Sequence, residues 1–210
     1  MTNPFDIPEL KYMIINLLDL KSIGQMVQIN WALKDFIQDM PIYLEIQTCL
    51  NYTQHCLKKY DKKYNMREKI FISACANACR NIIDNFWKGE DICMNASGIL
   101  YTSLWFACQN GHLEVAKFLV EKGANIHVEN NHAFIRACEY GHMDIAKFLV
   151  KKGADIHTCY DLALRLASKN GHLKVATFLV EKGANIHVRG DSALRLACRY
   201  GHLEVTKFLV

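Results

Sequence analysis

Proline is nearly missing from this sequence, with 3 in 210 residues, and the 11 glycines are too few for a collagen-like chain or a disordered low-complexity one. No apolar run approaches the roughly 18 residues that a membrane span needs. The opening Met1-Thr2-Asn3-Pro4-Phe5-Asp6 has no basic stretch ahead of an apolar core, so no secretion signal is read there. Charge of one sign is not in excess either. The 25 Lys and Arg against 21 Asp and Glu leave a net +4, far from the dense basic footprint of a nucleic-acid binder. These absences predict a soluble, intracellular chain with neither membrane nor nucleic acid as partner. Nine cysteines, an odd number without a secretion signal, are read as reduced thiols.

What the sequence has is repetition. Gly-His pairs begin at Gly111, Gly141, Gly171 and Gly201, each 30 residues after the last, and the decapeptide from Gly111 to Val120 returns almost unchanged as Gly201 to Val210. Each unit holds two helical patterns. Leu104, Ala107 and Cys108 lie on one face at i, i+3 and i+4, and the sets Phe134/Ala137/Cys138, Leu164/Ala167/Ser168 and Leu194/Ala197/Cys198 repeat them. Gly111 and its equivalents stop this first helix. A second, from Leu113 to about Lys122, carries Val115, Ala116, Leu119 and Val120 and ends at Gly123. The polar stretch that follows, with Asn125, Glu129, Asn130 and Asn131, predicts a turn or hairpin tip. A unit this small cannot bury both helices alone, so the copies must stack, and the expected fold is an all-α solenoid of helix pairs with short hairpin loops.

These residues resemble the ankyrin repeat. Thr102-Ser103-Leu104-Trp105-Phe106-Ala107, Gly111 to Val115 and Gly123-Ala124-Asn125-Ile126-His127 match that family's pattern in register. The unit is shorter than the family's usual 33 residues, which predicts shortened finger loops, and Ala163 to Ala167 and Ala193 to Ala197 read Ala-Leu-Arg-Leu-Ala in place of the Pro-Leu-His text. Near-identical units closing in Gly-Ala-Asn-Ile-His look most like the ankyrin repeat proteins of mimivirus-type giant DNA viruses, which implies action in a host cytoplasm.

A worn copy precedes the four clear ones. Ala74-Cys75 echoes Ala107-Cys108, and Lys88 to Cys93 echoes Lys122 to His127, so residues 68–97 are expected to cap the stack, with 98–210 holding four units, the last incomplete. No polar cap follows Val210, and Leu209 and Val210 are expected to be under-covered.

Residues 1–40 lack the repeat. Helical spacing there predicts three short helices, and residues 41–67 read as a linking helix. The opening Ile7-Pro8-Glu9-Leu10, the series Ile15, Leu18 and Leu20, Leu20 to Ile23, and the closing Val27 and Trp31 are similar to an F-box. The resemblance implies that Leu10, Ile14, Leu18 and Ile23 dock a Skp-type adaptor of a cullin-RING ubiquitin ligase. The same residues fit a plain helical extension packed on the first repeat.

Histidine invites a metal reading, since residues 112, 127, 142, 157, 172, 187 and 202 follow a 15-residue step. Stacked repeats hold equivalent residues about 8 to 10 Å apart, whereas zinc ligands must each lie about 2.0 to 2.1 Å from one ion. No metal is expected. Cys75, Cys79 and Cys93 lack a companion pair at zinc-site spacing, and Cys108, Cys138 and Cys198 share a slot with Ser168, as small buried fillers would. No phosphate loop, His-Glu-x-x-His or nucleophile elbow is present, so neither cofactor nor catalytic residue is assigned and an enzyme is not expected. Lysines 117, 122, 147, 151, 152, 182 and 207 interleave with Glu114, Glu121, Asp144 and Glu181, the pattern of a solvated face.

The copies differ most at the end of the first helix, in the pairs Gln109-Asn110, Glu139-Tyr140, Lys169-Asn170 and Arg199-Tyr200, and in the finger residues Glu129 to His132, Cys159 to Leu162 and Arg189 to Ser192. Variation on a fixed scaffold places them outside the core. The resemblance puts them on a concave face that binds a protein partner, with Gln109, Glu139, Tyr140, Arg165, Lys169, Arg195, Arg199 and Tyr200 as the candidate contacts.

Overall fold

The computed structural model describes residues 66–80, 82–84 and 98–210. The expectations for the three-helix region at 1–40, including Leu10, Ile14, Leu18 and Ile23, lie outside them, as do nearly all of the linking helix and the Lys88 to Cys93 echo. The described chain is helical: α1 (Met66–Ala76), then the pairs α2 (Ile99–Gln109) and α3 (Leu113–Glu121), α4 (Val128–Glu139) and α5 (Met143–Lys151), α6 (Thr158–Lys169) and α7 (Leu173–Glu181), α8 (Val188–Arg199) and α9 (Leu203–Leu209). No strand occurs among the described residues.

The chain divides into two compact units, one of residues 1–74 and 79–92, the other of 75–78 and 93–210. In the first, Ile70, Phe71, Ile72 and Ala74 of α1 are buried, and Cys79 donates its amide to the Ala74 carbonyl at 2.9 Å. The second unit is the solenoid.

Within it the first helices form one layer and the second helices another. α2 packs on α4, α4 on α6 and α6 on α8, while α3, α5, α7 and α9 follow in the same order. The repeated apolar text explains this. Ala107, Ala137, Ala167 and Ala197 are all fully buried, as are Ala116, Ala146 and Ala176, and Leu119, Leu149 and Leu179. Alanine in two slots lets the helices approach closely, and leucine in the third fills the space between the two helices of a pair.

Each helix ends in the same hydrogen-bonded turn. Gly111 has φ +83°, and beyond it the His112 amide donates to the Ala107 carbonyl at 2.9 Å; Gly123 has φ +93°, and the Ala124 amide donates to Leu119 at 2.9 Å. Glycine takes this left-handed position without a Cβ clash. In the worn copy the matching residue is Ala78, which holds φ +54°.

The connectors are turns, not hairpins. Glu129, Asn130 and Asn131 all lie in the left-handed region, with φ of 49°, 58° and 58°, and Cys159 to Asp161 and Arg189 to Asp191 repeat the geometry. Asn131, Asp161 and Asp191 then close the turn by donating their amides to His127, His157 and His187. Three successive left-handed residues reverse the chain in less length than a strand pair, which is how a 30-residue unit dispenses with a finger. Regular α-helix begins only after them.

The C-terminal expectation is half corrected. Val210 is 93% exposed, but Leu209 is only 5% exposed, because it occupies the leucine slot that points between the two helices of its own pair. Cys198 departs from the buried-filler expectation: Cys108, Cys138 and Ser168 are fully buried against the following unit, whereas Cys198, on the last of the described units, is exposed. Thr206 stands in the alanine slot of α9, with its hydroxyl donating to the His202 carbonyl at 3.0 Å.

Candidate functional site

The C-terminal ends of the first helices meet the next unit through a fixed set of bonds. His142 donates Nε2 to the Gln109 carbonyl at 2.9 Å and His202 donates to Lys169 at 2.7 Å; His172 reaches the Glu139 carbonyl in the same way, and His112 reaches Ala76 at 2.9 Å. The rings of His142, His172 and His202 each lie over the glycine of the preceding unit. A Cβ built on Gly111 would stand 2.6 Å from the His142 ring, and one on Gly141 would stand 2.6 Å from the His172 ring. These histidines therefore lock unit to unit, a role the sequence period marks but does not reveal.

The other histidines act within the connectors. The amides of His127, His157 and His187 donate to Asn125, Asp155 and Asn185 at 2.9 Å, and their Nδ1 atoms pair with the side chains of Asn131 at 3.0 Å, Asp161 at 3.0 Å and Asp191 at 2.7 Å. Asn131 and Asp161 are buried for this reason, and Ser192 is buried beside Arg165, which corrects the placement of all three outside the core.

Burial is the main cause that holds His112, His132 and His172 below the ordinary histidine pKa; among the lesser ones, Arg136 lowers His132, and neighbouring histidines lower the other two. An unfolded chain takes up protons near pH 6.5, before these folded sites do. Stability is therefore greatest above that pH and falls as the pH drops through it. Urea titrations of the full chain at pH 7.5 and 5.5 should give the lower midpoint at 5.5, and a higher midpoint there would overturn this assignment.

Of the candidate contacts, Tyr140, Arg195, Arg199 and Tyr200 are exposed and Gln109, Glu139, Arg165 and Lys169 are half-buried. Glu139 is held by Arg136 in an ion pair. Arg165 donates Nε to Ser192 Oγ at 2.9 Å, and burial first and the charge of Arg189 second press its pKa down. Lys169 lies 5.3 Å from the centre of the Tyr200 ring, and Arg195 donates to the Arg189 carbonyl at 3.1 Å.

The second position of each variable pair divides into two roles. Asn110 donates Nδ2 to Ala76 and Asn170 donates to Glu139, both at 2.7 Å, bracing the stack, while Tyr140 and Tyr200 in the same slot stay exposed. The alternation of Asn and Tyr was the available signal. Two further contributors went unnoticed in the sequence. Arg189 lies 4.6 Å from the centre of the Tyr160 ring, and Trp105 stacks on His132 at 5.5 Å with Arg136 at 5.7 Å. Around His132 the protons are ordered: Arg136 Nε donates to Nε2 at 3.1 Å, Nδ1 faces the Tyr101 hydroxyl at 3.1 Å, and that hydroxyl donates to Glu129 at 2.8 Å. A neutral ring satisfies the whole chain of bonds.

On the opposite layer Lys117 and Lys207 pair with Glu114 and Glu204, and Lys122 and Lys152 lie over Phe118 and Phe148, as a solvated face does. Burial raises the Cys108 and Cys138 thiols far above their ordinary pKa, leaving them as packing groups. No helix among the described residues is long and apolar enough to cross a membrane.

Residues 70–160 match a family model described as ankyrin repeats in three copies, and residues 163–210 match one described as ankyrin repeats in many copies. No curated protein matches the chain. With stacked helix pairs in register across more than half of its length, the chain belongs to the ankyrin repeat family, whose repeats serve as protein–protein interaction modules and imply a protein partner.

Proposed function

We propose that the chain captures a protein partner on its first-helix face, the concave face of the family, through Gln109, Glu139, Tyr140, Arg165, Lys169, Arg195, Arg199 and Tyr200. The observation that carries the reading is the contrast between slots: alanine repeats at 107, 137, 167 and 197 and leucine at 119, 149, 179 and 209, while the exposed positions at the helix ends change from copy to copy and include Tyr140, Arg199 and Tyr200. Tyrosine and arginine are enriched among the residues that dominate interface energetics. Binding of this kind needs no catalytic group, and the family's members are generally non-enzymatic.

The F-box-like text at the N-terminus extends the proposal. Leu10, Ile14, Leu18 and Ile23 would dock a Skp-type adaptor, residues 68–97 would cap the stack, and the repeats would present a target for ubiquitylation. The likeness to giant-virus repeat proteins supports a host protein in the host cytoplasm as that target. The second reading is a structural or decoy binding protein without a ligase link, favoured by the equal fit of residues 1–40 to a plain helical extension. Co-purification of the full chain with a eukaryotic Skp-type adaptor separates the two. Capture that Leu10→Asp abolishes is the expected result, and no capture by the unmodified chain removes the ligase role while leaving the repeat face as it is.

A further inference from the structure

Among the described residues, five cations on the last two units have no ion-pair partner. The corresponding first-helix positions change along the stack, from Trp105 and Gln109 through Ile135 and Glu139 to Arg165 and Lys169 and finally Arg195 and Arg199. Each pair is spaced i, i+4 and shares one helical face. α6 packs on α8, which sets the four charges in a two-by-two patch on helices about 8 to 10 Å apart. Arg189 joins them through the bond that Arg195 makes to its carbonyl and through its charge on Arg165.

None of the five takes part in an ion pair among the described residues. The nearest carboxylates in sequence are engaged elsewhere: Asp161 and Asp191 are turned to His157 and His187, Glu204 pairs with Lys207, and Glu139 of the preceding unit is held by Arg136. The Arg165 bond to Ser192 fixes its guanidinium without neutralising it. Two exposed rings complete the patch, Tyr160 beside Arg189 and Tyr200 beside Lys169.

We propose that this patch docks an extended acidic segment of the protein partner, rich in Asp and Glu, an inference that rests on the protein-binding reading above. Guanidinium forks match carboxylates in geometry as well as charge. An extended segment at about 3.3 Å per residue crosses one interval between helices in roughly three residues, so two rows of cations are met by a few alternating acids. Toward the N-terminus the patch stops because the same positions are apolar, neutral or acidic in the two preceding units, which denies a nucleic-acid backbone a track along them.

The test uses the full chain, a labelled Glu-rich peptide, its Gln counterpart, and a random-peptide display library. The expected result is binding of the Glu-rich peptide but not the Gln one, weakened by added salt and at least about 10-fold by R195E with R199E. Both residues are exposed, so these changes leave the core alone. K147E with K151E, an exposed pair on α5, alters net charge equally and should leave the affinity within about 2-fold. Equal losses from the two double variants would overturn the proposal, as would tighter binding of an oligonucleotide of matched charge at the same residues. Library peptides without acids that bind irrespective of Arg195 and Arg199 would overturn it and leave the protein-binding reading in place. No binder in any arm would remove both.

Discussion

Gly141→Ala lowers the unfolding stability of the chain by about 2 to 5 kcal/mol, against about 1 to 2 kcal/mol for Gly201→Ala. The two glycines have the same backbone strain to offer, with φ of +80° and +76°. They differ in what a methyl group would meet. On Gly141 it would stand 2.6 Å from the His172 ring, whereas on Gly201 nothing lies within 4 Å. The ring has little room to withdraw, since it is hydrogen-bonded to the Glu139 backbone. The smaller loss is therefore the conformational term alone, and the excess at Gly141 is the cost of opening one unit interface. Urea unfolding of the full-length variants measures both, and equal losses would mean that the ring contact contributes nothing.

Leu149→Ala costs about 2 to 5 kcal/mol, whereas Leu203→Ala stays within about 0.5 kcal/mol. The chemical change is identical, but Leu149 is 0% exposed and Leu203 is 61% exposed. Leu149 also lies in the second of the four clear units, so its loss weakens a link on which units at both sides depend. In a stack that coheres only through nearest neighbours, such a break lowers the denaturant slope as well as the midpoint. An unchanged slope with a shifted midpoint would mean that the array still unfolds as one.

The architecture was legible because a repeated text reports a repeated environment. Alanine at 107, 137, 167 and 197 and leucine at 119, 149 and 179 could be placed in the core from period alone. The left-handed connectors were not legible. Glu129, Asn130, Cys159, Tyr160 and Arg189 give no sign of a positive φ, which is imposed by the closure around His127, His157 and His187. For the same reason Asn131 and Asp161 looked like exposed finger residues while being buried acceptors for those rings. The histidines of the Gly-His pairs were legible only as a period, because a spacing of 30 along the chain carries no information on a ring that crosses to the preceding unit. At the candidate face Arg199 and Tyr200 stand out through their variation, and Arg165 and Arg195 through the Ala-Leu-Arg-Leu-Ala text that replaces the family's Pro-Leu-His. Arg189 and Tyr160 were not singled out, since their pairing crosses from one connector to the next.

The Gly-His lock gives the stack a direction. Every unit offers a glycine socket on one side and a histidine on the other, so the two faces of a unit are unlike and the contact is heterologous. Repetition of such a contact is the growth rule of a head-to-tail polymer, in which each addition recreates the acceptor for the next. Among the described residues nothing lies within 4 Å of a Cβ built on Gly201. The joint itself sets no limit on the number of units, and a further unit in the same 30-residue register should seat on Gly201 as His202 seats on Gly171.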